Sequence, residues 1–304
     1  MIGKLDALVR ARYAQKPVLA VAAAQDAHVL VALRNAADAD LCRPLLIGNE
    51  AFIRGEADAA GVSLADMDLL PCEGEEGCCR LAVRQVREGR AQAVMKGLCG
   101  TAAILREVLR AETGLRESAL LSYVSVFELD GFDRLIYVTD PALNMYPDLE
   151  AKKHIIGNAV GVARALGTPK PVVACVCAVE TVNPKMPPTL DAAELVRFNA
   201  AGEMPGCVVT GPLALDNCLY REAALHKGIT DENAGRADIL LVPNIETGNV
   251  LHKAFSIVLG APGAGVLVGA RAPVVITSRV DSEDFKLRSI ALALHIASER
   301  GTCA

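Results

Sequence analysis

The sequence contains no tryptophan, and aromatic residues make up only 4% of it. Hydrophobic residues nevertheless make up 52% of the chain, so the core must be built from aliphatic side chains. Alanine, valine and leucine dominate, which is typical of parallel sheets buried between helices. The 304 residues are enough for about two domains.

An excess of positive charge is also lacking. The chain carries 31 lysines and arginines against 36 aspartates and glutamates, for a formal net charge of −5. This balance gives no electrostatic footprint for a nucleic acid. No apolar run reaches transmembrane length, and the first residues lack the hydrophobic region of a signal peptide. We therefore expect a cytoplasmic protein with neither a nucleic acid nor a membrane as partner.

The ten cysteines do not form a CxxC pair. Cys175 and Cys177 lie in the apolar run 172–179, where cysteine acts as a small hydrophobic residue. Cys72, Cys78 and Cys79 flank an acidic segment that we interpret as a loop. Their spacing does not support a metal site, and reduced thiols in a reducing compartment are the simpler account.

Apolar runs of strand length alternate with helical patterns along most of the chain. This alternation predicts an α/β protein with mainly parallel sheets. The predicted strands are 18–23, 44–47, 92–95, 171–179, 207–210, 238–243, 265–268 and 273–277. The predicted helices are 27–37, 50–60, 101–112, one ending at Gly167, 189–200 capped by Thr189, 249–259 and a last one from near Ser282.

One segment departs from the parallel pattern. The runs 120–129 and 134–139 are joined by Asp130-Gly131, a turn signal typical of an antiparallel hairpin. A proline-rich segment follows the hairpin, and we place the crossing into a second domain there. The predicted first domain is discontinuous, with residues 1–140 and 271–304, and the second domain is 141–270.

A hydroxyl, a guanidinium and carboxylates are concentrated in the turn between the strand at 273–277 and the last helix. Ser278 and Arg279 follow the strand, and Asp281, Glu283 and Asp284 come after them. Open α/β sheets bind ligands at such strand ends, and arginine can fork onto phosphate oxygens. Asp284 could accept a proton. Alternatively, Asp281 or Ser282 caps the helix and the acidic residues only complement its dipole.

Two further turns offer polar groups before a helix. Lys96, Gly97 and Thr101 belong to a turn where glycines would let backbone N–H groups approach an anion, although the turn is not a Walker A motif. A plain turn with a solvated lysine is the alternative. In residues 243–249, Asn244 and Glu246 could bind a ligand or cap the helix. The glycine-rich segment 260–265 precedes a strand, contrary to the dinucleotide-binding fingerprint.

These residues resemble the phosphate acetyl/butyryltransferase family over nearly the whole length. The longest matching stretches are Ala-Val-Glu-Thr-Val-Asn-Pro-Lys-Met-Pro at 178–187 and Gly-Pro-Leu-Ala-Leu-Asp-Asn at 211–217. The other matches are 95–97, 135–140 with Asn144 and 148–150, 240–246 with Gly248 and Asn249, and 277–279.

The resemblance implies a reversible reaction in which acyl-CoA and phosphate give acyl phosphate and CoA, with butyryl as the expected acyl group. It implies two α/β domains resembling isocitrate and isopropylmalate dehydrogenases, an active-site cleft between them, and a homodimer or higher homo-oligomer. Coenzyme A is then a substrate, so neither a cofactor nor a metal ion is expected. Tyr123, Pro141 and Tyr146 depart from the usual pattern, which bears on the acyl pocket.

By the same resemblance, the catalytic residues are Ser278, Arg279 and Asp284, with Asp281 and Glu283 as alternatives to Asp284. The expected substrate-binding residues are Lys96, Gly97, Thr101, Asn144, Asn244, Glu246 and Asn249. As a base toward the CoA thiol, Asp284 would need burial to raise its pKa toward neutrality. The rival functions are a phosphate acetyltransferase, a nucleotide-dependent dehydrogenase, and a homologue without activity.

Overall fold

The computed structural model describes residues 4–278 and 280–301. Their contacts divide them into two compact units. The first unit consists of residues 4–119 and 262–301, and the second unit of Leu120–Ala261. Both units combine strands with helices, so the predicted α/β class is confirmed.

Strands and helices are numbered along the whole chain. The strands are β1 Val18–Ala22, β2 Arg43–Gly48, β3 Asp68–Pro71, β4 Ala93–Lys96, β5 Ser122–Phe127, β6 Ile136–Thr139, β7 Val172–Val176, β8 Val208–Leu213, β9 Ile239–Leu241, β10 Gly263–Val268 and β11 Val274–Val275. The helices are α1 Lys4–Val9, α2 Ala27–Asp38, α3 Glu50–Ala60, α4 Glu75–Arg87, α5 Thr101–Val108, α6 Leu149–Ala165, α7 Pro187–Ala200, α8 Leu215–Leu219, α9 Arg221–His226, α10 Ile245–Lys253 and α11 Glu283–Glu299. A π-helical turn, Ala254–Val258, continues α10.

In the first unit the strand order is β3-β2-β1-β4-β11-β10. Every neighbouring pair is parallel except β10 and β11. The carboxyl ends of β1, β4 and β11 therefore open at one edge of this sheet, each followed by a turn and a helix. Helix α11 packs on β10 and against α1 and α2.

In the second unit the strand order is β5-β6-β9-β7-β8. The hairpin of β5 and β6 is antiparallel, as its Asp-Gly turn predicts, and the other neighbours are parallel. Gly131 in the hairpin turn has a φ of 85°, a left-handed conformation that glycine adopts without strain. The turns after β6, β9, β7 and β8 therefore share one edge.

The two crossings between units lie elsewhere than the predicted domain boundaries. The chain enters the second unit before β5 and leaves it before β10, whereas we expected crossings at 140/141 and 270/271. The physical reason is strand pairing. The hairpin strand β6 pairs with β9 of the second unit, and β10 pairs with β11 of the first unit.

Local signals set the starts of α2, α3 and α5 correctly, whereas α10 begins at Ile245 instead of the predicted Asn249. Asn49 and Ser282 cap α3 and α11 through their side-chain oxygens, and of these the Ser282 cap is one of the alternatives that the sequence left open. The predicted cap Thr189 is wrong, because α7 begins at Pro187, two residues earlier. The buried Thr189 hydroxyl instead donates to the Met186 carbonyl oxygen, 2.8 Å away.

Other corrections concern elements that the apolar pattern does not mark. The acidic segment after Cys72 is a loop only up to Gly74, since α4 begins at Glu75. Strand β3 and the short helices α1, α8 and α9 were not predicted. Within residues 4–278 and 280–301, no helix has the length and apolar character needed to cross a membrane.

Candidate active site

The turn between β11 and α11 holds the predicted catalytic residues. The Ser278 backbone N–H donates to the Asp281 carboxylate at 2.7 Å, and the Asp281 N–H donates back to the Ser278 carbonyl oxygen at 3.2 Å. Ser278 is exposed, and its hydroxyl oxygen accepts from the Val280 N–H at 3.5 Å. The predicted Arg279 lies outside the described residues. Ser278 and Asp281 are thus bound to each other through these two hydrogen bonds, and the Ser278 side chain lies at the surface.

The three acidic candidates have different surroundings. Asp281 is half-buried and binds the Ser278 N–H, whereas Glu283 and Asp284 lie exposed in the first turn of α11. Ser282 caps the helix by accepting from the Phe285 N–H at 3.1 Å. The burial that a base role for Asp284 would require is absent around this exposed side chain.

The Lys96 turn joins β4 to α5. Its backbone N–H groups are already used, because those of Gly97 and Leu98 donate to the Ala22 and Ala23 carbonyl oxygens at 2.9 and 2.6 Å. The expectation that these glycine N–H groups approach an anion is therefore wrong for Gly97. A Cβ on Gly97 would lie 2.3 Å from the Ala23 oxygen, so the close approach to β1 requires glycine. The turn offers the Lys96 side chain and the exposed Thr101 instead.

Cys99 lies in the same turn and pairs with the thiol of Cys79 on α4. The hydrogen bond from the Cys79 thiol is the main cause that lowers the pKa of Cys99 below its ordinary value, and Lys96 lowers it further. The same pairing raises the pKa of Cys79, and burial raises it further. In the described part of the chain, nine cysteines are free and no cluster of His, Cys, Asp or Glu could hold a metal ion.

Strand pairing brings the Lys96 and Ser278 turns together. Strands β4 and β11 are parallel neighbours, with Val94 beside Val274 and Met95 beside Val275. Their carboxyl ends are therefore adjacent, which places a lysine and a serine hydroxyl at one edge of the first unit. This neighbourhood suits a small anion.

In the second unit, Asp140 organises the turn after β6. Its buried carboxylate accepts hydrogen bonds from four backbone N–H groups, those of Tyr123, Ala142, Leu143 and Asn144. The predicted Asn144 also donates its side-chain amide to Asp140, at 2.6 Å, and to the Leu121 carbonyl oxygen. Burial raises the pKa of Asp140, while these hydrogen bonds oppose the rise. Asn144 thus supports the turn.

The turn after β9 is the neighbour of this one, because β6 and β9 are parallel. Asn244 caps α10 by accepting from the Thr247 N–H at 3.0 Å, so its capping alternative is confirmed. Glu246 is exposed and accepts a hydrogen bond from the Tyr146 hydroxyl. Asn249 is exposed one helical turn further. Glu246, Tyr146 and Asn249 are therefore accessible polar groups at this edge.

His252 and Ser125 form a pair that the sequence did not predict. The His252 Nδ1 lies 2.9 Å from the Ser125 hydroxyl oxygen, and the His252 ring packs against Phe127. Burial lowers the pKa of His252 to about 4, so the ring is neutral near pH 7. Its place on α10 was readable from the sequence, but its strand partner was not.

The two longest matching stretches meet at the carboxyl ends of β7 and β8. The Asn217 side-chain amide donates to the Glu180 carboxylate at 2.6 Å, and Lys227 donates to the same oxygen at 2.6 Å. Asn217 is wholly buried, so this contact fixes the loop after β7 to the start of α8. Both stretches belong to the family resemblance, but only the fold shows that Asn217 of one contacts Glu180 of the other.

The fold and the sequence are both similar to those of known proteins. A branched-chain phosphotransacylase from Enterococcus faecalis shares the fold with a TM-score of 0.82 and 30% identity, over 92% of this chain and 99% of that one. A phosphate butyryltransferase from Clostridium acetobutylicum is 45% identical over 97% of this chain and 98% of its own length. A phosphate acetyltransferase from Thermotoga maritima is 40% identical, over 95% and 98%.

Residues 76–294 match the family described as phosphate acetyl/butaryl transferase. The chain belongs to this family. The resemblance stated from the sequence is confirmed, and the dehydrogenase alternative is set aside.

Proposed function

We propose that this protein is a phosphate acyltransferase that transfers a short acyl group reversibly between coenzyme A and inorganic phosphate. The observation that carries the proposal is the pairing of β4 with β11 in a chain of this family, which puts the Lys96 and Ser278 turns side by side. A lysine ammonium and a serine hydroxyl suit a tetrahedral oxyanion.

In the proposed mechanism, Ser278 and Arg279 hold the phosphoryl group. When acyl phosphate is the donor, the CoA thiol gives its proton to a base and its sulfur attacks the acyl carbon. The bond from that carbon to the phosphate oxygen then breaks, and phosphate leaves. On the family resemblance alone we keep Asp284 as the base, although its side chain is exposed in this structure, with the half-buried Asp281 and the exposed Glu283 as alternatives. The attack is direct in a ternary complex, and CoA is a substrate, so no cofactor or metal ion takes part.

For the remaining substrate contacts, we propose the accessible side chains of both units. In the first unit these are Lys96 and Thr101, with Gly97 as the position that lets the turn approach β1. In the second unit they are Glu246 and Asn249, while Asn144 and Asn244 act by fixing their turns.

For the acyl group, we propose butyryl, because butyryltransferases are among the relatives of highest identity. Each buried methylene contributes about 0.8 kcal/mol, so two additional methylenes give roughly tenfold preference over acetyl. The Thermotoga relative makes acetyl the alternative. A thiol-release assay with phosphate and acyl-CoAs of increasing chain length decides between them. Faster release from acetyl-CoA would change the acyl assignment, and no release from any acyl-CoA would refute the function.

We further propose a homodimer or higher homo-oligomer. The second unit exposes an apolar patch at the end of α10 and the π-helical turn, where Val250, Ile257, Val258 and Leu259 are 70, 58, 79 and 65% exposed. Contiguous exposed apolar residues are typical of association surfaces. Val258→Asp should lower the molar mass measured by light scattering after size exclusion, whereas Phe52→Asp, at an isolated exposed residue, should leave it unchanged. We also place the protein in the cytoplasm, where its free thiols stay reduced.

A further inference from the structure

Lys286 stands out among the buried charges of this protein. Within residues 4–278 and 280–301, four side chains of the Asp, Glu, Lys and Arg types are almost wholly buried: Glu107, Asp140, Lys152 and Lys286, at 2, 2, 4 and 3% exposure. A buried charge is costly unless an opposite charge or several hydrogen bonds compensate it. The four side chains differ in how well opposite charges or hydrogen bonds compensate their charge.

Three of the four are compensated. Glu107 pairs with Arg110 at 2.9 Å and Arg80 at 3.6 Å, and Lys152 pairs with Asp191 at 2.6 Å. Asp140 accepts hydrogen bonds from four backbone N–H groups and from the side-chain amide of Asn144.

The buried charge of Lys286 is compensated much less than the other three. Its ammonium donates to one neutral acceptor, the Asp281 carbonyl oxygen at 2.6 Å. Among the described residues no carboxylate lies within 4.0 Å of it, because the Asp281 carboxylate faces the Ser278 N–H instead. An ammonium has three N–H donors, so two are left for another acceptor.

The lysine cannot easily leave this position. Helix α11 is anchored one turn later by the buried Ser289, whose hydroxyl accepts from the Gly265 N–H of β10 at 2.9 Å. The neighbouring Arg288 pairs with Asp6 of α1 at 2.8 Å. The backbone of Lys286 is therefore held by packing and hydrogen bonds on both sides of the helix.

The surroundings of the ammonium favour an anion. The start of the 17-residue helix α11 adds the N–H groups of Glu283 and Asp284, which have no intrahelical acceptors, whereas the Phe285 N–H is taken by Ser282. Ser278 adds a hydroxyl at the same turn. The Glu283 and Asp284 carboxylates are exposed, so solvent and salt screen their repulsion.

We infer that Lys286 is a phosphate-binding residue, whose buried ammonium receives an oxygen of inorganic phosphate, or of the phosphoryl group of the acyl phosphate, at the β11–α11 turn. The inference rests on the proposed function for the choice of ligand. Phosphate groups of coenzyme A carry the same chemistry, so the test separates the two sources.

The test compares three variants with the parent protein. Lys286→Met keeps the side-chain length without the charge, and Lys286→Arg keeps the charge. Arg288→Met is the matched control, because it removes a basic residue and an ion pair from the same helix away from the turn. Melting temperature is measured against inorganic phosphate, against sodium chloride at equal ionic strength, and against CoA. Michaelis constants for phosphate and acyl-CoA are measured in parallel.

We expect Lys286→Met to lose the phosphate-dependent rise in melting temperature and to raise the Michaelis constant for phosphate about tenfold or more. Its response to CoA should stay that of the parent. Lys286→Arg should retain part of the phosphate response, and Arg288→Met all of it. If Lys286→Met does not fold, Lys286→Gln is judged by the same measurements.

An unchanged phosphate response in Lys286→Met, or an equal loss of the phosphate and CoA responses, would overturn the inference. Failure of the proposed function looks different, since the parent itself would then release no CoA from any acyl-CoA. A parent that binds phosphate through Lys286 without releasing CoA would keep the inference and refute the reaction.

Discussion

The His252–Ser125 pair makes the stability of the second unit depend on pH. His252 is neutral in the folded protein because burial lowers its pKa to about 4, against an ordinary value of 6.5. The Phe127 ring packs against it, with ring centroids 5.6 Å apart, so a charged imidazole would lie in largely apolar surroundings. Below the pKa that His252 has in the unfolded chain, the unfolded chain binds a proton at His252 and the folded chain does not.

The direction follows from this difference. A depressed folded pKa contributes stability that is present above the unfolded pKa and lost as the pH falls toward the folded pKa. The loss therefore occupies the window from pH 6.5 down to about 4. With these two values, linkage gives a loss of about 2 kcal/mol by roughly pH 5.

His252→Asn removes the titration and keeps an acceptor near the position of Nδ1. We expect the parent to lose about 2 kcal/mol more free energy of unfolding than this variant between roughly pH 7.5 and pH 5. Urea unfolding followed by circular dichroism measures the difference, and His226→Asn, at an exposed helix end, serves as control. Parallel pH profiles for parent and His252→Asn would refute the reasoning, as would a ring proton signal of His252 that titrates near pH 6.5 in NMR.

The remaining predictions concern the first unit. Gly97→Ala should destabilise the protein by roughly 1–3 kcal/mol, because its Cβ would meet the Ala23 oxygen; a melting temperature equal to that of Gly55→Ala, where the added Cβ meets no atom within 4 Å, would contradict this. Arg279→Ala should weaken phosphate use more than CoA binding, by about 1.5–3 kcal/mol, and unchanged kinetic constants for phosphate would remove Arg279 from the site. Asp284→Asn should lower turnover about 10²–10⁴-fold at unchanged melting temperature if Asp284 is the base; turnover within about threefold of the parent would leave Asp281 and Glu283 as candidates.

Local chemistry was decided by the sequence alone. The Asp-Gly turn of the hairpin, the Asn49 cap of α3 and the Ser282 cap of α11 depend on residues a few positions apart, so their signals are readable along the chain. Alternating apolar runs likewise predicted the α/β class, since each strand carries its burial in its own composition. The long matching stretches pointed to the family without any coordinates.

Tertiary structure decided what each polar residue does. Asn244 caps a helix, Gly97 lies against β1, and Glu180 meets Asn217, because strand order joins turns that are far apart in the sequence. The clearest case is Lys286. In the sequence it is one lysine in an amphipathic helix, and lysine side chains on such helices ordinarily lie in solvent. Only the packing of α11 on β10 buries its ammonium without a carboxylate among the described residues, and burial is what gives that charge its consequence.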